Sequence, residues 1–308
     1  MLTYLLLILS SILYSAFSNV RVFGWYDGHP EIQKFPWDRY THVRYGSPIV
    51  GEDGSTECNT TQMQTIVSLA HSKDTQIFWA PGDIRVLNTS QQYWDTIGSA
   101  VRKCGVDGIS VDYEGGPNKL GIVTPSKAAA YTKWLAKLRV AASVPVAADI
   151  SIWGIAPGNY LLGAFPWIDV GMLNAGAFDF VNTMSYHWNA EGDIWAWEKD
   201  VWFLTNFWGI DPHRVNLGIG YFSKVYNNHK LISEPSWNGL SQSCPNIPYD
   251  QNKCNGVVFV GKKMNYDIGR LIATSGLGGA FPWELSYDSY EHNNTLVDFL
   301  IRGMDFNV

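Results

Sequence analysis

The chain has 308 residues, a formal net charge of −6 at pH 7, and aromatic side chains at 14% of its positions, including 14 Trp. The negative charge and the lack of any run of Lys or Arg argue against nucleic acid as a partner. This length is large for one simple core but ordinary for an α/β barrel.

An apolar run at the amino terminus predicts a leader. Residues 2 to 17 are almost entirely apolar and end in small residues, and Ala-Phe-Ser at 16–18 fits a signal-peptidase site. We therefore predict a signal peptide over residues 1–18 and a mature domain over residues 19–308. A membrane anchor is the alternative, which the shortness of the run disfavours. We expect no membrane contact once the signal is removed.

Short β-rich runs alternate with helical stretches along the rest of the chain. The helical stretches include one that opens with Thr124 as N-cap and Pro125 at the first helical position. The predicted helices cover residues 62–70, 93–103, 125–142, 194–207, 266–274 and 294–301. The predicted strands cover residues 20–25, 41–45, 76–79, 108–113, 144–148, 178–184, 214–219 and 278–283.

Eight strands that alternate with helices predict a single-domain (β/α)8 TIM barrel. A doubly wound open sheet is the alternative, but no glycine fingerprint for a nucleotide follows the first strand. The longest stretch predicted to be irregular covers residues 221–255, and we expect it to overhang the barrel mouth.

Four cysteines and three sequons bear on the cellular compartment. Cys244 and Cys254 flank a Pro-rich loop and are predicted to pair, which leaves Cys58 with Cys104, or both as free thiols. The sequence has neither a C-x-x-C nor an H-E-x-x-H motif, and we expect no metal site. Together with the leader and the cysteines, the sequons favour a secreted or lysosomal glycoprotein. The sequon asparagines are Asn59, Asn88 and Asn293.

The stretch from 107 to 114 (Asp-Gly-Ile-Ser-Val-Asp-Tyr-Glu) carries the chemistry. Alternate side chains of a strand share one face, so one set points into the barrel and the other toward the helices. The inward set is Gly108, Ser110, Asp112 and Glu114, and the outward set is Ile109, Val111 and Tyr113. The inward acids lie where the strand ends, which is where active sites of this fold occur.

Asp112 and Glu114 are expected to have carboxylates about 5–7 Å apart. Two such groups in a dry cleft do not ionise independently, so one is protonated beside a charged partner. That pair can protonate a glycosidic oxygen. We assign Glu114 as the acid, because it is longer and nearer the mouth, and Asp112 as the charged partner. Buried ion pairing or loop capping is the alternative role for both acids.

This octapeptide resembles the signature of glycoside hydrolase family 18, Asp-Gly-x-Asp-x-Asp-x-Glu. Later stretches resemble the family in the same order: Met-Ser-Tyr at 184–186, the run at 216–221, and Gly-Gly at 278–279 followed by Trp-Glu-Leu-Ser at 283–286. The resemblance covers nearly the whole mature chain and is closest to the chitobiase-like branch. The connection between the seventh and eighth strands looks too short for the large insertion domain of many chitinases.

The resemblance implies a hydrolase that uses the substrate's own 2-acetamido group and needs no cofactor. Glu114 would protonate the leaving oxygen, Asp112 would orient the acetamido N–H, and Tyr186 would hydrogen-bond its oxygen. Trp283 would form the floor under the distorted sugar, and Met184 would pack beneath the site. We expect Trp283, Ser110, His187 and Met184 to be the substrate-binding residues. The expected partner is an N-acetylglucosamine oligosaccharide or a glycoprotein glycan, bound by a monomer.

Two residues depart from the family pattern. Ser110 stands where the family usually has its middle Asp, and His187 replaces the Asp that follows Tyr186, so contacts to the leaving-side sugar are expected to differ. The Ser110 change favours the alternative of a non-catalytic glycan-binding lectin on the same barrel, and a hydrolase of another sugar is a third possibility. Asp149 could reach the cleft, although a role outside it is favoured, and Asp107 is expected to fix the start of its strand.

Overall fold

The structure is a computed structural model. It describes residues 20–28, 32–51, 53–56, 58, 60–82, 90–113, 124–151, 168–187, 193–227, 230–289 and 295–305. The predicted signal peptide, Glu114 and the three sequon asparagines (Asn59, Asn88 and Asn293) lie outside these residues.

The described residues form a closed barrel of eight parallel strands, which confirms the predicted TIM-barrel fold. Each strand of the barrel pairs with the next one along the chain, and the last closes onto the first. The barrel strands are β1 Arg21–Tyr26, β2 His42–Ile49, β3 Gln76–Gly82, β4 Gly108–Asp112, β5 Val146–Ile150, β6 Phe180–Thr183, β7 Val215–Gly220 and β12 Gly279–Trp283.

Helices cover the outside of the barrel within the described ranges. The helix that begins at Pro125 has the predicted start, because the Thr124 hydroxyl accepts the backbone N–H of Lys127 at 3.3 Å. The helices are α1 Thr61–His71, α2 Gln91–Cys104, α3 Pro125–Ala142, α4 Val170–Asn174, α5 Trp195–Trp202, α6 Trp237–Ser243, α7 Lys262–Thr274 and α8 Leu296–Met304. A π-helical turn, Phe203–Phe207, continues α5. No helix in these ranges is both long and apolar enough to cross a bilayer.

Phenylalanine rings fill the centre of the barrel below the carboxyl ends of its strands. The centroid of the Phe23 ring lies 5.0 Å from that of Phe78, 5.7 Å from that of Phe180 and 5.8 Å from that of Phe281. On β4, the strand next to β3, Gly108 is the register partner of Phe78, and a Cβ at this position would come within 2.3 Å of the Phe78 ring. The rings therefore close the barrel from below and leave its upper end for polar side chains.

The connection between β7 and β12 is more ordered than we expected. Residues 221–255, predicted to be irregular, contain the helix α6 and a hairpin of β8 Val225–Asn227 with β9 Lys230–Ser233. A second small hairpin joins β10 Lys253–Cys254 to β11 Val257–Val258. The prediction was wrong because the strands are too short to produce a clear alternation of polar and apolar residues.

All four cysteines are paired, so the free-thiol alternative for Cys58 and Cys104 is wrong. Cys58 bonds Cys104 across 46 residues, with Cα atoms 5.7 Å apart, and Cys244 bonds Cys254 across 10 residues, with Cα atoms 6.6 Å apart. The first pair is buried in the core between barrel and helices, and the second lies at its periphery.

We predict that the Cys58–Cys104 disulfide stabilises the fold more than Cys244–Cys254, because it closes the longer loop. Chain-entropy arguments give about 4 kcal/mol for the first and about 3 kcal/mol for the second. Urea unfolding of Cys58→Ala/Cys104→Ala and of Cys244→Ala/Cys254→Ala, each against wild type, measures the two losses. An equal or larger loss in the second variant would contradict this ranking.

Candidate active site

Strand β4 presents its polar side chains to the barrel interior, as its alternation predicts. Ser110 is fully buried, whereas the Asp112 side chain is 24% exposed at the end of the strand. Ile109 and Val111 lie in the core between barrel and helices, and the Tyr113 ring is 5.1 Å from Tyr131 of α3. Asp112 is therefore neither sealed away nor turned toward the helices.

A buried arginine connects Asp112 to a second carboxylate on the neighbouring strand. Asp112 and Asp149 are partners in the register between β4 and β5, so their side chains emerge side by side. Arg44 of β2 forms an ion pair through Nη1 with Asp149 Oδ2, and its Nη2 lies 3.8 Å from Asp112 Oδ2. One cation thus faces two carboxylates, which gives the three groups a net charge of −1.

The Arg44 guanidinium keeps its charge despite almost complete burial. Its side chain is 2% exposed and lies over the Trp25 ring, with Cζ 3.4 Å from the ring centroid. Burial lowers the pKa of Arg44 to about 10, and the negative charge of Asp112 opposes that shift. At neutral pH the side chain is therefore a fixed cation beneath the mouth.

Neutral side chains satisfy the Asp149 carboxylate from below. Asp149 Oδ1 accepts the Ser110 hydroxyl at 2.9 Å and the Asn182 side-chain amide at 2.8 Å. Asn182 Oδ1 in turn accepts the Asn216 amide at 2.8 Å, which extends the network across β4 to β7. Such a connected buried network holds its members in one arrangement.

Aromatic rings line the mouth on the other side of the barrel. Trp283, at the end of β12, is partly exposed, and its ring centroid lies 5.2 Å from Tyr186, 5.5 Å from Phe222 and 6.0 Å from Trp25. Tyr186 itself is buried, at 8% exposure. Flat rings at a wet opening suit the C–H faces of sugars.

The other predicted binding residues have well-defined surroundings. His187 Nε2 lies 2.6 Å from Asp200 Oδ2, and the His187 ring packs edge-on against Trp197 at 4.9 Å. Burial raises the pKa of Asp200, and the contact with His187 opposes that shift. Met184 packs against the aromatic residues inside the barrel. The substrate contacts of His187, Met184 and Ser110 stay predictions.

A further carboxyl group, which sequence reasoning did not single out, follows Trp283 at the same end of the barrel. Glu284 is 2% exposed and accepts both the backbone N–H and the hydroxyl of Ser286. Burial raises the pKa of Glu284 to about 7, and the nearby negative charge of Asp27 adds to the effect. The mouth therefore contains an acid that titrates near neutrality.

The roles of several residues were wrong or open at the sequence level. Asp149 was expected to act outside the cleft, yet it points into the barrel. Arg44 was missed, although strand alternation in β2 places it on the inward face, where a charged residue is a signal. Asp107 fixes its strand as predicted, because it accepts the Ile77 N–H at 2.7 Å.

Solved structures with the same architecture include chitinases and a chitinase-like lectin. A chitinase from Bacteroides thetaiotaomicron has a TM-score of 0.72 at 14% identity, covering 93% of this chain and 97% of that one. The GH18 chitinase ChiB from the chitin utilization locus of Flavobacterium johnsoniae has a TM-score of 0.69 at 15% identity, covering 92% of this chain and 94% of that one. The chain has the fold of a GH18 chitinase.

The lectin is a chitinase-like agglutinin from Robinia pseudoacacia, with a TM-score of 0.68 at 13% identity, covering 91% of this chain and 98% of that one. Comparison with protein-family models and with curated protein sequences found no match. The fold is thus shown by structure alone, and assignment to the chitobiase-like branch stays a prediction.

We predict that Glu284 makes the folded chain less stable as the pH rises. Its pKa in the folded chain lies above that of an unfolded glutamate. Its favourable contribution to the free energy of unfolding is therefore fully present below about pH 4.5 and is lost as the pH approaches about 7. Glu284→Gln should therefore remove up to about 3 kcal/mol of the decline between pH 5 and 8. Urea unfolding at both pH values measures this difference.

Asp288, whose pKa burial also raises to about 7, is present in both proteins, so the comparison isolates Glu284. Glu198→Gln, at an exposed position of α5, is the matched control and should follow wild type. An identical decline in wild type and Glu284→Gln would show that Glu284 does not hold the proton.

Proposed function

We propose that this chain is a retaining glycoside hydrolase that cleaves β-1,4-linked N-acetylglucosamine, in chitooligosaccharides or in the chitobiose core of N-glycans. The observation that carries the proposal is Asp112, a partly exposed carboxylate beside a fixed cation, at the end of the barrel where Tyr186 and Trp283 form an aromatic wall. This combination provides a negative charge and a sugar-stacking surface in one opening.

The proposed first step breaks the glycosidic bond with help from the substrate. Glu114, two residues after Asp112, donates its proton to the leaving oxygen, while the carbonyl oxygen of the 2-acetamido group bonds to the anomeric carbon. The products of this step are the released alcohol and a cyclic oxazolinium ion. The negative charge of Asp112 orients the acetamido N–H and stabilises the positive ion, and the Tyr186 hydroxyl donates to the acetamido oxygen.

The proposed second step consumes water. The Glu114 carboxylate removes a proton from a water molecule, whose oxygen attacks the anomeric carbon and reopens the ring of the oxazolinium ion. Two inversions give net retention at the anomeric carbon. The residues named so far suffice for both steps, and the partly exposed Trp283 ring supports the distorted sugar.

A glycan-binding lectin is the second candidate. Ser110 supports it, because a hydroxyl cannot carry the charge that the resemblance places there, and the fold is also that of a chitinase-like agglutinin. The network around Ser110 supports the enzyme instead, since it places Asp149 and its negative charge next to Asp112.

The two disulfides support a secreted or lysosomal location, because such bonds persist in oxidising compartments. We propose that the protein acts there as a monomer on free oligosaccharides or on glycoprotein glycans.

We predict that wild type releases 4-methylumbelliferone from mono-, di- or trisaccharide N-acetylglucosamine conjugates, and that Glu114→Gln lowers kcat by about 100- to 10,000-fold. The amide keeps the shape of the side chain but has no acidic proton to donate. Initial rates over pH 3 to 8 measure the effect. Wild type that binds chitooligosaccharide but releases no product would favour the lectin, and full activity in Glu114→Gln would assign the acid elsewhere.

We also predict that Tyr186→Phe lowers kcat with little change in KM, because its hydroxyl assists the acetamido oxygen mainly as that oxygen attacks. The ring itself, which packs on Trp283, is kept in this variant. A stable thiazoline analogue of the oxazolinium ion should inhibit wild type competitively and bind Tyr186→Phe more weakly. Equal inhibition of both proteins would contradict participation of the acetamido group.

A further inference from the structure

The nearest carboxylate to Asp112 among the described barrel strands comes from β5. Asp149 and Asp112 are register partners, and strand neighbours on one face of a sheet are about 5 Å apart. The Asp149 side chain is 1% exposed, so it does not itself face solvent at the mouth. Its effect on any ligand must therefore pass through the groups that it contacts.

Arg44 is the charged group that Asp149 contacts. The guanidinium makes its close ion pair with Asp149, whereas its second nitrogen stays 3.8 Å from Asp112, beyond the usual hydrogen-bond distance. Arg44 Cζ also lies over the Trp25 ring, 3.4 Å from its centroid. Because the near partner is Asp149, Arg44 places its positive charge close to Asp112 without forming a direct hydrogen bond to it.

We propose that Asp149 is a positioning residue, which holds the Arg44 guanidinium away from Asp112. The Asp112 carboxylate is then free to face the substrate. Arg44, Asp112 and Asp149 together have a formal net charge of −1. Without Asp149, the nearest anion to Arg44 is Asp112, and the attraction of a buried cation would close that 3.8 Å separation. This inference rests on the proposed glycosidase function.

Ser110 fits this role as a donor rather than as a missing acid. Its hydroxyl and the Asn182 amide both donate to Asp149 Oδ1, which leaves Oδ2 directed at Arg44. An Asp at 110 would place a carboxylate within hydrogen-bond distance of Asp149 and repel it. In the described part of the chain, the strand next to the motif thus supplies the carboxylate beneath Asp112.

The test compares three variants in the same release assay. Asp149→Asn removes the charge, and we expect kcat to fall about 100-fold with KM nearly unchanged, because Arg44 moves onto Asp112. The cluster also changes from −1 to 0, which makes proton loss from the acid easier, so the alkaline limb of the pH profile should move to lower pH. Among the residues that the structure describes, Tyr131 and Tyr186 are the further titratable groups that interact with Arg44, and Tyr131 also interacts with Asp112.

Asn182→Ala is the control, because it removes a hydrogen bond to the same carboxylate without changing the charge. Its alkaline limb should stay where wild type has it. The swap Ser110→Asp/Asp149→Ser returns one carboxylate and one hydroxyl to the same space, and it should recover most of the lost kcat. Thermal unfolding shows which variants fold. If Asp149→Asn does not fold, the kcat of the swap variant tests the positioning role instead.

Active wild type with an unchanged kcat and pH profile in folded Asp149→Asn would overturn the positioning role alone. A folded swap that stays as slow as Asp149→Asn would overturn it as well. Wild type that releases no product would refute the proposed function and this inference with it.

Discussion

The upper half of the barrel depends on one buried cation. Transfer of a guanidinium from water into a protein interior costs several kcal/mol unless anions and hydrogen bonds replace its hydration. Arg44 meets that requirement with Asp149, Asp112 and the face of Trp25. Arg44 and these three partners come from the four strands β1, β2, β4 and β5. Burial of the charge therefore requires these strands to place the four side chains at the same height in the barrel.

The phenylalanine rings below make this charge effective. Phe23, Phe78 and Phe180 fill the barrel centre and exclude water from beneath the network. Among the described residues of the cluster, Arg44 and Asp149 are buried and Asp112 is partly exposed at the mouth. In such a low-dielectric setting a single charge changes the behaviour of its neighbours more than it would at a protein surface. The apolar plug and the polar network are thus two parts of one electrostatic arrangement.

Local patterns in the sequence were enough to predict the barrel and the inward face of β4. Alternation placed Ser110 and Asp112 correctly, and capping by Thr124 placed the start of α3, because both depend on residues that are close in sequence. The role of Asp149 depends on the register between two strands and on Arg44, which is 105 positions away in the chain (149 − 44). Its role could not be read from either stretch alone.

The same reasoning bears on how Ser110 should be interpreted. Comparison of an octapeptide with a family signature counts acids along one strand, and by that count this chain lacks one. The electrostatic environment of Asp112, however, depends on charges in space, and the register partner on β5 supplies a carboxylate whose Oδ1 accepts the Ser110 hydroxyl. Loss of an acid from the motif is therefore weak evidence for loss of chemistry here. The charge at the mouth is therefore a joint property of Arg44, Asp112 and Asp149, which three different strands supply.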